Sequence, residues 1–115
     1  MELRYLEIFV AVIDQGGYSR AATALGITQP SVSQAVRRLE EQLGVAPFRR
    51  AGRTVVLTEI GQAIEGPSRA VLRDVAGLEA TVTAHRELAA GVLRIGTLPT
   101  LAATVAAGVI ATFRR

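Results

Sequence analysis

Residues 28–38 combine small polar side chains with two arginines along one predicted helix. An apolar stripe at helical spacing runs through this segment and continues beyond it, formed by Val32, Val36, Leu39 and Leu43. The stripe predicts an amphipathic helix that Thr28 caps and Gly44 ends. The opposite and flanking positions hold proline, hydroxyl, carboxamide and guanidinium side chains, namely Pro30, Ser31, Ser33, Gln34, Arg37 and Arg38. This polar face is the part of the sequence best equipped for chemistry.

Such a face suits the major groove of DNA. The groove admits one helix, and side chains near the helix N-terminus reach base edges, where Gln pairs with adenine and a hydroxyl pairs with any base. Pro30 can contact a thymine methyl, while Arg37 and Arg38 can hold phosphates. Residues 20–57 contain six arginines and two acidic residues in a chain of net charge +3. This local excess predicts a DNA-binding surface, although the same arginines could form only a solvated face.

Two shorter predicted helices position the polar helix. Residues 3–13 carry apolar side chains at helical spacing. Residues 20–25 are predicted as a second helix, which Ser19 caps and Gly26 ends. A tight turn at Gly26 and Ile27 then leads into the third helix. This succession is a helix-turn-helix by its geometry alone.

A β-hairpin is predicted after the third helix. Segments 48–50 and 53–57 flank a turn at Ala51 and Gly52, which is typical of a hairpin wing. Its tip is basic, and Arg53 there can enter the minor groove. The other two wing arginines are predicted to hold the DNA backbone: Arg49 and Arg50.

A long helix is predicted from the cap Thr58 to about residue 90. Apolar residues recur along it in a three-four alternation, which is typical of a coiled-coil seam. A lone helix would leave this seam in water, so the sequence predicts a dimer, although the stripe could instead pack on the chain's own domain. The predicted dimerisation residues are Ile64, Val71, Val75, Leu78 and Val82.

Three runs of this sequence resemble LysR-type transcriptional regulators. They are SRAATALGITQPSVSQAVRRLEEQLGV at 19–45, FRR at 48–50 and LTEIG at 57–61. The resemblance covers residues 1–96 and implies a winged helix-turn-helix, dimers joined by antiparallel linker helices, and often tetramers. It also implies DNA contacts from the recognition helix and the wing, by Thr28, Gln29, Pro30, Ser31, Ser33, Gln34, Arg37 and Arg53.

The expected fold class is mainly α, a winged helix-turn-helix followed by a long dimerisation helix and a short βα remnant. The predicted domains are the DNA-binding domain 1–58, the linker helix 59–90 and the truncated start of an effector domain 91–115. A strand is predicted at 92–95. Thr97 and Thr100 match the family's effector loop. The remaining sheet of that domain is missing, so effector binding by this chain is not expected.

Composition argues against several other classes of protein. The chain has no cysteine and one histidine, so neither a metal site nor a cofactor is expected. No nucleophile-base spacing or glycine-rich phosphate loop predicts an enzyme. No apolar run or signal-like start predicts membrane insertion or export, so a cytoplasmic bacterial protein is expected. The leading hypothesis is a sequence-specific regulator that binds double-stranded DNA as a homodimer. The alternative is a partner that heterodimerises with a full-length relative and blocks it.

Overall fold

The computed structural model describes the backbone of residues 1–94 and the side chains of residues 1–90. The elements are α1 (Leu3–Gln15), α2 (Tyr18–Leu25), α3 (Gln29–Leu43), β1 (Phe48–Ala51), β2 (Thr54–Leu57) and α4 (Glu59–Arg94). Residues 1–73 form one compact unit, and the second unit begins at Asp74. The predicted fold class, mainly α with a winged helix-turn-helix and a long following helix, is confirmed. Thr97 and Thr100 lie outside the described residues.

The three short helices pack around the ring of Phe9, which is completely buried. Val32 and Leu39 of α3 are also fully buried, so the apolar stripe predicted for this helix does face the core. Ala21 and Ala22 of α2 are buried as well, and their small side chains let α2 pack closely on its neighbours. Burial of the stripe fixes the rotation of α3 about its own axis and turns its polar face toward solvent.

The turn between α2 and α3 follows the prediction, but the start of α2 does not. Gly26 ends α2 in the left-handed conformation, with φ of 68°, and donates a hydrogen bond to the carbonyl of Thr23. The predicted cap Ser19 is wrong, because α2 begins at Tyr18 and Gly17 precedes it without a side-chain cap. Gly17 has extended backbone and occupies the N-cap position, so α2 begins one residue later at Tyr18. Ser19 therefore lies inside the first turn of the helix.

The hairpin is attached to the core by its first residue. β1 and β2 are antiparallel, and Phe48 pairs with Leu57. The Phe48 ring is buried, and its centroid lies 5.3 Å from that of Phe9. Tyr18 packs edge-on against the same ring at 6.1 Å. These contacts hold the wing against α1 and α2.

Thr58 joins the wing to α4, as its predicted capping role requires. Its hydroxyl accepts a hydrogen bond from the Gly61 N–H at 3.3 Å and donates one to the carbonyl of Ala46 at 2.6 Å. The Thr58 N–H donates to the carbonyl of Pro47 at 3.0 Å. Gly61 lies so close to this carbonyl that a Cβ atom there would collide with it. The start of α4 is therefore fixed by backbone contacts.

Helix α4 continues further than the sequence predicted. It runs through Pro67 and reaches Arg94, so the strand predicted at 92–95 is wrong for 92–94, which are helical. The short apolar run that indicated a strand continues the helical spacing of the residues before it, so the helix extends through it. Arg69 joins this helix to α1 by donating a hydrogen bond to Asp14 at 2.6 Å. It also donates one to Glu65, one turn earlier on α4, at 3.2 Å. The hydrogen bond to Asp14 raises the pKa of Arg69 above its ordinary value.

Two glycines of α4 provide a matched test of this junction. Gly61→Ala is expected to lower the free energy of unfolding by about 1–3 kcal/mol, because the added methyl must displace the Pro47 backbone. Gly77→Ala meets nothing within 4 Å and is expected to stabilise the helix by about 0.8–1 kcal/mol. Urea denaturation followed by circular dichroism measures both. Equal effects of the two substitutions would contradict the close packing at Gly61.

Candidate nucleic-acid interface

The start of α3 is held by hydroxyl groups that also face solvent. Thr28 has extended backbone, and its side-chain oxygen accepts a hydrogen bond from the Ser31 N–H at 3.3 Å. The two hydroxyls of Thr28 and Ser31 lie 2.8 Å apart and are hydrogen-bonded. Pro30 occupies the first turn, where a missing N–H costs nothing. Both hydroxyls are thus positioned before any ligand binds.

The polar face of α3 borders an open groove of about 490 Å³. Seven residues line it, and six of them belong to the set predicted to bind DNA: Gln29, Pro30, Ser33, Gln34, Arg37 and Arg38, with Glu41 as the seventh. The Gln29 carboxamide donates a hydrogen bond to the Ser33 hydroxyl at 3.1 Å. This contact leaves the carboxamide oxygen and one N–H of Gln29 available, which is what pairing with an adenine edge requires.

The two arginines of α3 differ in their surroundings. Arg38 lies 3.6 Å from the carboxylate of Glu41, and both side chains are more than half exposed. Arg37 is exposed and makes no ion pair with any residue between 1 and 90. A nearby carboxylate offsets part of the charge of Arg38, so Arg37 is the stronger attachment point for a phosphate.

The wing brings Arg50 and Arg53 next to Gln29 at the start of α3, whereas Arg49 does not line the cleft that they share. Arg49 and Arg50 are exposed on β1, and Arg53 is exposed at the hairpin tip. A cleft of about 390 Å³ lies between this hairpin and the first turn of α2. We call it the wing cleft, and the side chains that line it include Tyr18, Arg20, Gln29, Arg50 and Arg53. The predicted wing residues Arg50 and Arg53 therefore share one cleft with Gln29.

The sequence did not place Tyr18 or Arg20 beside the predicted DNA-binding residues, although both line the wing cleft. Arg20 contributed to the local excess of positive charge, but nothing in its spacing linked it to the wing. Tyr18 follows two glycines and was not part of any apolar stripe. Only the packing of Phe48 against α1 and α2 brings these residues beside Arg50.

The predicted dimerisation residues fall into two groups. Ile64 is partly buried and packs against the core of residues 1–73. The side chains of Val71, Leu78 and Val82 are exposed, with Leu78 at 64% the most open of the three. Val75 is partly exposed. Exposed Val and Leu at coiled-coil spacing leave an apolar stripe in water.

Neither a metal-ligand cluster nor a membrane-spanning helix occurs in the part of the chain that the structure describes. No group of three His, Cys, Asp or Glu side chains that could hold a metal ion occurs among them. None of their helices combines the length and apolar character that crossing a membrane requires.

Comparison with known proteins identifies relatives of this chain. Residues 3–62 match the family model described as bacterial regulatory helix-turn-helix protein, lysR family. The chain is 57% identical over 63 residues to the HTH-type transcriptional regulator BudR of Klebsiella aerogenes, covering 55% of this chain and 44% of that protein. It is 36% identical over 101 residues to the DNA-binding transcriptional dual regulator OxyR of Escherichia coli K12, covering 88% of this chain and 33% of that protein.

Solved structures agree with the sequence comparison. A BenM_DBD/catB site 1 DNA complex has a TM-score of 0.69 and 34% identity, covering 72% of this chain and 93% of that chain. A mutant of Corynebacterium glutamicum OxyR also has a TM-score of 0.69, with 32% identity over 71% of this chain and 26% of that one. The chain spans from about a third to less than half of the length of the curated relatives that it matches.

Removing the capping hydroxyl tests how α3 begins. Thr28→Ala is expected to lower the free energy of unfolding by about 0.5–2 kcal/mol, because the Ser31 N–H loses its partner. Thr28→Ser keeps the hydroxyl and is expected to retain most of the stability. Thermal or urea unfolding of the three proteins provides the measurement. If alanine and serine destabilise equally, the hydrogen bond is not what stabilises this helix start.

Proposed function

Since the chain belongs to the lysR family of bacterial regulatory helix-turn-helix proteins, we propose that it binds a specific DNA sequence as a dimer and thereby regulates transcription. The observation that carries the proposal is the groove along α3, where hydroxyl, carboxamide and guanidinium groups line one exposed surface. Hydrogen-bonding groups near the helix N-terminus can pair with base edges, and the arginines further along can bind phosphates.

In the proposed complex, α3 lies in the major groove. Gln29 and Gln34 are exposed at its N-terminal half and contact base edges, while Ser33 holds the Gln29 carboxamide in place. Arg37 binds a phosphate, since unlike Arg38 it makes no ion pair with a carboxylate of residues 1–90. Arg53, at the tip of the hairpin, reaches the adjacent minor groove. Base contacts supply sequence preference, and phosphate contacts supply affinity that depends on salt.

Dimerisation is proposed through the exposed stripe of α4. The stripe includes Val71, Leu78 and Val82, whose exposure in a single chain would be removed by a second α4 helix. Two copies bring two recognition helices to one duplex, so the preferred site is expected to contain two related half-sites. Ile64 contributes less to the dimer than the sequence suggested, because it already packs against its own core.

The names of the relatives support regulation rather than catalysis. BudR is called a transcriptional regulator and OxyR a DNA-binding transcriptional dual regulator. The BenM_DBD structure is described as a DNA complex. The alternative, that the chain blocks a relative by heterodimerisation, has no specific support in the contacts of residues 1–90 or in these comparisons.

Selection from a random duplex library with the full chain tests sequence preference directly. The recovered duplex then serves in binding titrations at several salt concentrations. Arg37→Ala is expected to weaken binding to all duplexes and to reduce the slope of log K against log salt concentration by about 1.8, because each of the two subunits loses one phosphate contact worth about 0.9. Gln29→Ala is expected to cost about 1–3 kcal/mol per half-site on the selected duplex and little on an unrelated one.

Two outcomes would contradict sequence-specific DNA binding, namely failure to enrich any sequence and binding that does not respond to salt. A uniform loss on all duplexes for Gln29→Ala would contradict only the proposed base contact by that residue. Arg73→Ala is a control, because Arg73 is an exposed arginine on α4 outside both the α3 groove and the wing cleft.

The dimer is tested by placing a charge in the stripe. Leu78→Glu is expected to raise the dimer dissociation constant about tenfold or more, because burying one leucine contributes about 1.5–3 kcal/mol. Ala80→Glu adds the same charge to α4 away from the stripe and is expected to leave the dimer intact. Sedimentation velocity over a range of concentrations distinguishes them. Equal dissociation in both variants, or a wild-type monomer, would refute this interface.

A further inference from the structure

The wing cleft contains cationic groups that the recognition helix does not supply. Arg20 comes from α2, Arg50 from β1 and Arg53 from the hairpin tip, and all three are exposed. None of them makes an ion pair within residues 1–90, and no acidic residue lines the cleft. Three unneutralised guanidinium groups from different elements repel one another, and an anion placed among them removes that repulsion.

Tyr18 adds a hydrogen-bond donor to this basic cleft. Its ring is half-buried and packs edge-on against Phe48, so the side chain has little freedom. Its hydroxyl has no hydrogen-bond partner within residues 1–90. Since no buried polar side-chain atom among these residues lacks a partner, this hydroxyl must be accessible to solvent. Burial raises the pKa of Tyr18, the charge of Arg50 lowers it, and the charge of Glu40 adds to the rise. The phenol therefore keeps its proton and can donate it to an oxygen anion.

Gln29 connects the cleft to the DNA-contacting face. It lines both the wing cleft and the groove along α3. An anion in the wing cleft therefore lies next to a residue that is proposed to contact a base edge. In duplex DNA the charged group beside a contacted base pair is a backbone phosphate. A free metabolite anion would have no comparable reason to bind beside Gln29.

We infer that the wing cleft binds a DNA backbone phosphate through the Tyr18 hydroxyl and the guanidinium groups of Arg20 and Arg50. The inference rests on the proposed DNA-binding function and adds α2 and Tyr18 to its contact surface. Arg20 and Arg50 supply charge from two sides, and the Tyr18 hydroxyl fixes the direction of one phosphate oxygen. Because every nucleotide has a phosphate, this contact sets position and affinity without selecting sequence.

Two substitutions separate the hydroxyl from the charge. Tyr18→Phe keeps the ring against Phe48 and removes only the donor. It is expected to weaken binding of the dimer about a hundredfold on selected and unrelated duplexes alike, because each subunit loses one hydrogen bond to a charged acceptor and each loss is worth about tenfold. Its salt slope is expected to stay unchanged, because the hydroxyl releases no counterion. Arg20→Ala is expected to weaken binding and also to reduce the slope of log K against log salt concentration by about 1.8, about 0.9 for each subunit.

Matched controls come from the same chain. Thr83 is exposed on α4, outside the wing cleft and the groove along α3, so Thr83→Val, which also removes one hydroxyl, is expected to bind DNA as the wild type does. Arg73→Ala serves the same purpose for Arg20→Ala. Thermal unfolding of every variant checks that folding is retained, which the preserved ring in Tyr18→Phe makes the expected result.

A methylphosphonate scan locates the contact on the DNA. Phosphates of the selected duplex are neutralised one at a time, and binding is measured for the wild type and for Tyr18→Phe. At one position in each half-site the two losses are expected to be less than additive, and at distant positions they are expected to add. Additivity at every position would overturn the inference, because the hydroxyl would then touch no phosphate.

The outcomes distinguish this inference from the function on which it rests. If the wild type binds with a salt-dependent preference while Tyr18→Phe and Arg20→Ala equal their controls, the cleft assignment is overturned and DNA binding stands. A loss for Tyr18→Phe only on the selected duplex would also overturn it, because that pattern indicates base contact. If the wild type itself binds no duplex, both proposals fail together.

Discussion

Burial of the Phe9 ring is the constraint on which the candidate DNA-binding surface depends. With aromatic residues at only 4% of the chain, few large side chains are available to fill the centre of the domain. Phe9 contacts Phe48, so the same ring that organises the helices also seats the wing. Loss of this ring would leave a cavity and would free two surfaces at once, because the groove along α3 and the wing cleft are both oriented by the core.

The helical elements were predictable because their signals are local. The stripe through Val32 and Leu39, the cap Thr28 and the turn at Gly26 act within a few residues of one another, and each lies where the sequence placed it. The prediction for Ser19 was wrong because it also rested on a local signal. Serine favours an N-cap, but Gly17 occupies that position and α2 already begins at Tyr18.

Contacts between distant segments limited what the sequence could predict about the candidate site. The recognition-helix set was found because its members share one helix face. Tyr18 and Arg50 are far apart in sequence and meet only because the Phe48 ring packs beside α1 and α2. The seam of α4 shows the same limit, since periodicity grouped Ile64 with Leu78 although Ile64 packs against the core. Periodicity identifies an apolar face but not its partner.

Every cation on the groove and the wing cleft is a guanidinium group, and the sequence contains no lysine. Acetylation of lysine, which can remove charge from a DNA-binding surface, therefore has no target among these side chains. The hydroxyls of Thr28 and Ser31, by contrast, are exposed beside the same arginines. Any covalent adjustment of affinity at this surface would have to add negative charge to such hydroxyls or modify arginine itself.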